Sequence, residues 1–157
     1  MNDFLEVYDS EEKSFSVASS VTWFENNYST TKSKEAGLSY FNQHRKRICN
    51  SMTLDFGQDY EPNEVIYYLL NEAKTEYVNT YSFLKKLDWR ICPFYNIQGY
   101  DGPEDGFFSL HNEHTGMYPY RMLAWMIYLN DAKSGTEFPY QNKTITPKTG
   151  RTVIWPA

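Results

Sequence analysis

The longest regular pattern in the chain starts at Pro62, after which Val65, Tyr68, Leu69, Ala73, Glu76, Tyr77, Tyr81 and Leu84 recur every three or four positions as far as about Leu87. That spacing puts the apolar members on one side of an α-helix, and no Gly or Pro interrupts it after Pro62. Pro62 suits a first turn, where its missing N–H leaves no bond unmade, and Lys85-Lys86 suits the negative end of the macrodipole. The spacing therefore predicts a helix over 62–87 whose Tyr/Leu stripe packs on a sheet.

After Asp88 the period shortens to two. Residues 90–100, 107–113, 121–129, 143–146 and 151–155 read as strands. Turn signals separate them: Asp101 through Gly106, Gly116, Asn130-Asp131, Ser134-Gly135 and Pro147 through Gly150. Short strands at this interval predict an antiparallel sandwich or barrel. Upstream, residues 1–60 mix short apolar runs (Phe15 to Val17, Val21 to Phe24) with polar stretches, and predict short strands or turns among surface loops. No internal repeat or low-complexity segment is present, and 157 residues suffice for one domain burying about two-thirds of its unfolded surface.

Composition sharpens this reading toward β-structure, because 14 Tyr, 10 Phe and 4 Trp favour half-buried pleated surfaces and pocket walls. A net charge of -5 and a pI near 5.2 argue against a surface that tracks phosphates, so no nucleic-acid partner is expected. The one dense basic run, His44-Arg45-Lys46-Arg47, reads as a solvated face. Cys49 and Cys92 are far apart and form no CxxC, which excludes a cysteine zinc site and a disulfide framework and fits a reducing, cytoplasmic setting. The N-terminus lacks a signal-peptide pattern and no apolar stretch approaches the roughly 18 residues of a membrane span, so no membrane association is expected. Without a secretion signal, the N-x-S/T triplets at Asn27 and Asn142 read as chance matches.

The candidate chemistry lies in Phe107-Phe108-Ser109-Leu110-His111-Asn112-Glu113. Alternation along a strand turns His111 and Glu113 to one face, with Phe108, Leu110 and Asn112 on the other. An imidazole and a carboxylate pointing together make two thirds of the 2-His-1-carboxylate triad, which leaves open positions on iron. His114 falls on the opposite face, and His111-Asn112-Glu113-His114 lacks the H-E-x-x-H spacing of a zinc hydrolase. No Ser or Cys sits in a Gly-flanked elbow, so nucleophilic catalysis has no support. His-x-Glu alone is a weak motif, and its weight comes from the residues around it.

Those residues run Tyr100, His111-Asn112-Glu113, Arg121 to Asn130, Gly135-Thr136-Glu137-Phe138, Pro147-Lys148-Thr149-Gly150 and Arg151 to Pro156. In this order they resemble the prolyl-4-hydroxylase-like family of iron(II) and 2-oxoglutarate-dependent oxygenases. The resemblance spans roughly Ile97 to Ala157, and more loosely the preceding helix. It implies an α+β fold with a mainly β core: a double-stranded β-helix (jelly-roll or cupin-like) packed by N-terminal helices. Residues 1–89 would then supply N-terminal strands and a supporting helix, and 90–157 the β-helix core.

The same resemblance implies that His111 and Glu113 are iron ligands, with Glu where Asp is commoner, that Tyr128 hydrogen-bonds the distal carboxylate of 2-oxoglutarate, and that Tyr100 lines the cosubstrate pocket. Arg121 lies opposite Tyr128 on a regular strand and reads as structural or substrate-side. The implied activity hydroxylates a protein or peptide side chain, prolyl residues being the nearest analogy, or a small molecule. It oxidatively decarboxylates 2-oxoglutarate to succinate with dioxygen as the oxidant, ascorbate being the reductant that restores oxidised iron. The family's distal His and a following basic residue have no counterpart after Trp155-Pro156-Ala157, so the chain is expected to be a C-terminally truncated, inactive oxygenase domain whose last strand leaves an unpaired sheet edge. The alternative is a non-catalytic jelly-roll binding module that has lost its site.

Overall fold

The computed structural model describes residues 4–10, 14–27, 33–35, 47–102, 105–107, 110–114 and 119–157. Along the chain these form β1 (Glu6–Tyr8), α1 (Ser14–Asn27), β2 (Ser33–Glu35), β3 (Arg47–Asp55), α2 (Glu61–Thr80), β4 (Phe94–Gly99), β5 (Gly106–Phe107), β6 (Leu123–Ile127), β7 (Thr136–Phe138), β8 (Lys143–Ile145) and β9 (Thr152–Pro156). Short 3-10 turns occupy Ser82–Lys86 and Pro139–Gln141.

The helical stripe folds largely as its spacing predicts. Val65, Leu69, Ala73 and Tyr77 are buried along one face of α2, while Tyr68 and Glu76 stay exposed. Pro62 sits in the first turn. The buried Asn63 fixes the entry: its Nδ2 donates to the carbonyls of Asp55 (2.9 Å) and Gln58 (2.7 Å), and its Oδ1 accepts from the Tyr95 hydroxyl (2.7 Å). The helix ends at Thr80 rather than near 87, because Tyr81 leaves helical geometry with ψ 67 and a 3-10 turn follows. Tyr81 and Leu84 remain buried, so the stripe continues without the α-helix. Lys85 and Lys86 consequently stand outside the last turn of α2, and Lys85 Nζ instead donates to Asn79 Oδ1 at 2.8 Å.

The first sixty residues correct the sequence reading. Phe15 to Val17 and Val21 to Phe24 are parts of the single helix α1 and not short strands. Val17, Ser20 and Phe24, spaced three and four apart, are its buried face. Two apolar clusters of three or four residues look alike in either period, and here burial against α2 selects the helix.

Among the described residues the strands form small antiparallel sheets. One has the order β1-β9-β6 and another β2-β3-β4 with β5 also on β3, while β7 and β8 make a hairpin. β4 pairs with β3 from Asn50↔Gly99 to Asp55↔Phe94, and β2 and β5 pair with the start of β3. β9 pairs with β1 through Val7↔Val153 and with β6 through Met126↔Val153. It is therefore a central strand and not the exposed edge expected from its place in the sequence, because the N-terminal β1 covers its second side.

Alternation along β6 and β9 divides the molecule into two packing layers. Trp125, Ile127 and Ile154 face the helices, where they join clusters containing Val17, Phe24, Val65, Ile66, Leu69, Ala73 and Tyr77 together with Leu54, Tyr95 and Ile97 from β3 and β4. Met126, Tyr128, Val153 and Trp155 face the other way, against Leu5, Phe138 and Ile145 of β1's approach and the hairpin. The fold is thus a mixed one, largely small antiparallel sheets with two helices. No helix among the described residues is long and apolar enough to cross a membrane.

Candidate functional site

The expected strand over 107–113 is short. β5 stops at Phe107, Phe108 and Ser109 lie outside the described residues, and 110–114 belong to no strand. The segment nevertheless brings the predicted pair together. His111 Nε2 lies 3.2 Å from Glu113 Oε1, with both side chains about one third exposed (33% and 32%) and so open to a small ligand. The imidazole stacks on the Phe107 ring with centroids 4.1 Å apart and planes 19° from parallel. His114 is exposed, and His44 lies outside the described residues.

A third side chain enters from the start of β6. Arg121 Nη1 donates to Glu113 Oε2 at 2.9 Å, so the two carboxylate oxygens face different partners: Oε1 the imidazole and Oε2 the guanidinium. Sequence reasoning placed Arg121 on the face opposite Tyr128 and left its partner unassigned. The pairing joins a turn residue to a residue just ahead of a strand, and no periodicity reports such a contact. Next to Arg121, the Met122 carbonyl accepts from Ala157 N–H at 3.1 Å, so the end of β9 runs alongside this corner.

The contact has the length of a His–carboxylate hydrogen bond, and it also falls near the spacing of two ligands on one divalent cation. Ligands at right angles on an ion with bonds of roughly 2.1 Å stand about 3 Å apart, close to the 3.2 Å between His111 Nε2 and Glu113 Oε1. Among the described residues no group of three or more His, Cys, Asp or Glu could hold a metal, so this geometry supplies two protein donors.

The two predicted cosubstrate residues have hydrogen-bond partners of their own. Tyr128, at the end of β6, turns toward the hairpin, where its hydroxyl donates to Thr136 Oγ1 at 2.8 Å with the Ile145 carbonyl at 3.3 Å. Burial pushes this phenol's pKa up, against the opposing pull of the Thr136 hydrogen bonds and of Arg151, so the group is a donor across the neutral range. Tyr100 is exposed and its hydroxyl donates to Gln98 Oε1 at 2.7 Å. The described hydrogen bonds thus join His111, Glu113 and Arg121 to one another, and give Tyr100 and Tyr128 different neighbours.

No protein-family model, curated protein or solved structure matches this chain.

Proposed function

We propose that this chain carries part of the active centre of an iron(II) and 2-oxoglutarate-dependent dioxygenase of the prolyl-4-hydroxylase-like type. The observation that carries the reading is the convergence of His111 Nε2 and Glu113 Oε1 at the separation of two neighbouring metal ligands, at the place the ordered sequence resemblance requires. The finer fold proposed with it is a double-stranded β-helix. A sheet backed by helices on one face and faced by a hairpin on the other is compatible with part of that architecture.

In this reading His111 and Glu113 hold the metal, and the Phe107 ring keeps the imidazole plane from turning. Tyr128, held neutral by burial, offers its hydroxyl to the distal carboxylate of 2-oxoglutarate, leaving Thr136 to rebond. Tyr100 contributes an amphipathic wall near the entrance. When bound, iron(II) would supply the chemistry that divides dioxygen between the two co-reactants, one oxygen atom entering succinate as 2-oxoglutarate loses carbon dioxide and the other entering the substrate C–H bond as a hydroxyl. The proposed substrate is a protein or peptide side chain, prolyl being the nearest analogy, or a small molecule. Ascorbate is the proposed reductant, and the proposed setting is cytoplasmic, with no nucleic-acid or membrane partner.

The test is succinate formation from 2-oxoglutarate by the full-length gene product supplied with iron(II) and ascorbate. Turnover that is lost in both His111→Ala and Glu113→Ala supports the reading, and turnover equal to wild type in both overturns it. One observation favours a second reading, a non-catalytic binding module of jelly-roll type: the Arg121 guanidinium already neutralises Glu113 without a metal. Iron binding together with 2-oxoglutarate turnover by the same protein excludes that alternative.

A further inference from the structure

We propose that Arg121 is a positioning residue for the His111–Glu113 pair, anchoring one carboxylate oxygen so that the other is presented to the imidazole. The inference rests on the proposed metal site and does not depend on which reaction follows.

Three observations carry it. Arg121 Nη1 holds Oε2 of Glu113 at 2.9 Å while Oε1 lies 3.2 Å from His111 Nε2, so the anchor and the candidate ligand atom are the two halves of one carboxylate. A charge-assisted hydrogen bond of this length is directional, and it opposes two-oxygen chelation by occupying Oε2. Second, Glu has one more rotatable bond than Asp, and an unanchored Glu spreads its carboxylate over more rotamers. The guanidinium removes that freedom, which accounts for how the longer side chain can serve where Asp is commoner. Third, Arg121 is itself held in place: the adjacent Met122 carbonyl accepts from Ala157 N–H at 3.1 Å, and Leu123 pairs with Pro156, so the β6–β9 ladder fixes the backbone that carries the anchor.

An ordinary surface ion pair is the competing explanation, since both side chains are about one third exposed (36% and 32%) and such pairs contribute little to stability. The two accounts differ in what they predict for metal affinity. Partners that orient a ligand typically change affinity 10- to 100-fold, whereas a surface pair leaves it alone.

The experiment titrates manganese(II), a redox-stable stand-in for iron(II), into the full-length gene product without 2-oxoglutarate, following the loss of the free-ion paramagnetic resonance signal. The proteins compared are wild type, Arg121→Ala, Arg121→Lys, Glu113→Ala and the Glu113→Ala/Arg121→Ala double variant. The expected result is binding about 10- to 100-fold weaker in Arg121→Ala, partial recovery in Arg121→Lys, and no further loss on removing Arg121 once Glu113 is gone. Wild-type affinity in Arg121→Ala, an equal loss in the Glu113→Ala background, or no manganese binding by wild type each overturns the proposal. Should Arg121→Ala fail to fold, Arg121→Lys decides: a several-fold loss supports the anchor and an unchanged affinity overturns it. Intact coupling without succinate formation sinks the oxygenase reading and leaves the positioning role standing.

Discussion

Arg151 grips Asp9 with two parallel hydrogen bonds, Nε to Oδ1 at 2.6 Å and Nη2 to Oδ2 at 2.8 Å, and so joins the segment after β1 to the start of β9. The guanidinium also donates through Nη1 to the Thr146 carbonyl at 2.9 Å, so one side chain organises both the N-terminal strand and the turn that precedes β9. The Arg151 hydrogen bond holds the Asp9 carboxyl below the usual carboxylate range, with desolvation opposing it. Because the folded-state pKa is lowered, the stability it contributes is present above the unfolded value of roughly 3.9 and is lost as pH falls through the folded value. Both groups are partly exposed, so Asp9→Asn is expected to cost at most about 1 kcal/mol at neutral pH. Urea unfolding at pH 7 and at progressively lower pH checks this: the difference between wild type and Asp9→Asn should shrink below about pH 4.

Leu69 is 2% exposed and belongs to the buried cluster that also holds Val17, Phe24, Leu54, Val65, Ile66, Tyr95 and Ile97. Leu69→Ala leaves a cavity there and is expected to cost about 2–5 kcal/mol. Urea denaturation gives the value, and a loss below about 1 kcal/mol would mean that this cluster is loosely packed.

Tyr128→Phe removes the donor to Thr136 Oγ1 and keeps the ring. The expected loss of stability is about 0.5–1.5 kcal/mol. On the proposed function, the variant also raises KM for 2-oxoglutarate more than it lowers kcat, because the hydroxyl binds cosubstrate and is remote from the bond broken. Equal KM values in Tyr128→Phe and wild type would remove Tyr128 from the pocket.

Glu113→Asp separates reach from charge. Shortening the arm by one methylene keeps the carboxylate, yet it cannot span both the 3.2 Å contact to His111 and the 2.9 Å contact to Arg121 without moving the backbone. The variant is therefore expected to bind manganese(II) roughly tenfold more weakly than wild type, although Asp is the commoner ligand in the family proposed above. Tighter binding by Glu113→Asp would show that the longer side chain is a compromise and not a matched pair with Arg121.

Much of this arrangement was legible in the sequence, and the parts that were not share a cause. α2, β4, β6, β8 and β9 follow from long runs of one period, with ends shifted by a few residues where Tyr81 or a turn breaks the geometry. His111 and Glu113 lie 3.2 Å apart, but in a segment with no strand geometry at 110–113, so the contact does not come from the alternation that put them on one face in the sequence reading. Gly150, the last residue of the Pro147 to Gly150 motif, has a physical explanation independent of any activity. Its φ is +80°, and a Cβ there would come within 2.7 Å of the Ser10 carbonyl oxygen, so the turn into β9 requires glycine. What stayed hidden was which residues and elements meet: α1 on α2, β1 on β9, Arg121 on Glu113 and Tyr128 on Thr136. Each joins elements that no local period relates, and tertiary burial decides it.

The place of β9 between β1 and β6 has a consequence for the order of events during synthesis. β1 is synthesised well before β9, so the earlier strand waits for its partner. Until residues 152–156 arrive, Leu5 lacks Val153 and the α2 face around Ala73 and Tyr77 lacks Ile154. Pairings this distant in sequence close slowly, and nascent chains that hold apolar surface open are prone to aggregate. Adding a synthetic β9 peptide to a chain ending before Thr152 should therefore rescue its solubility, with Val153 and Ile154 deciding whether the rescue occurs.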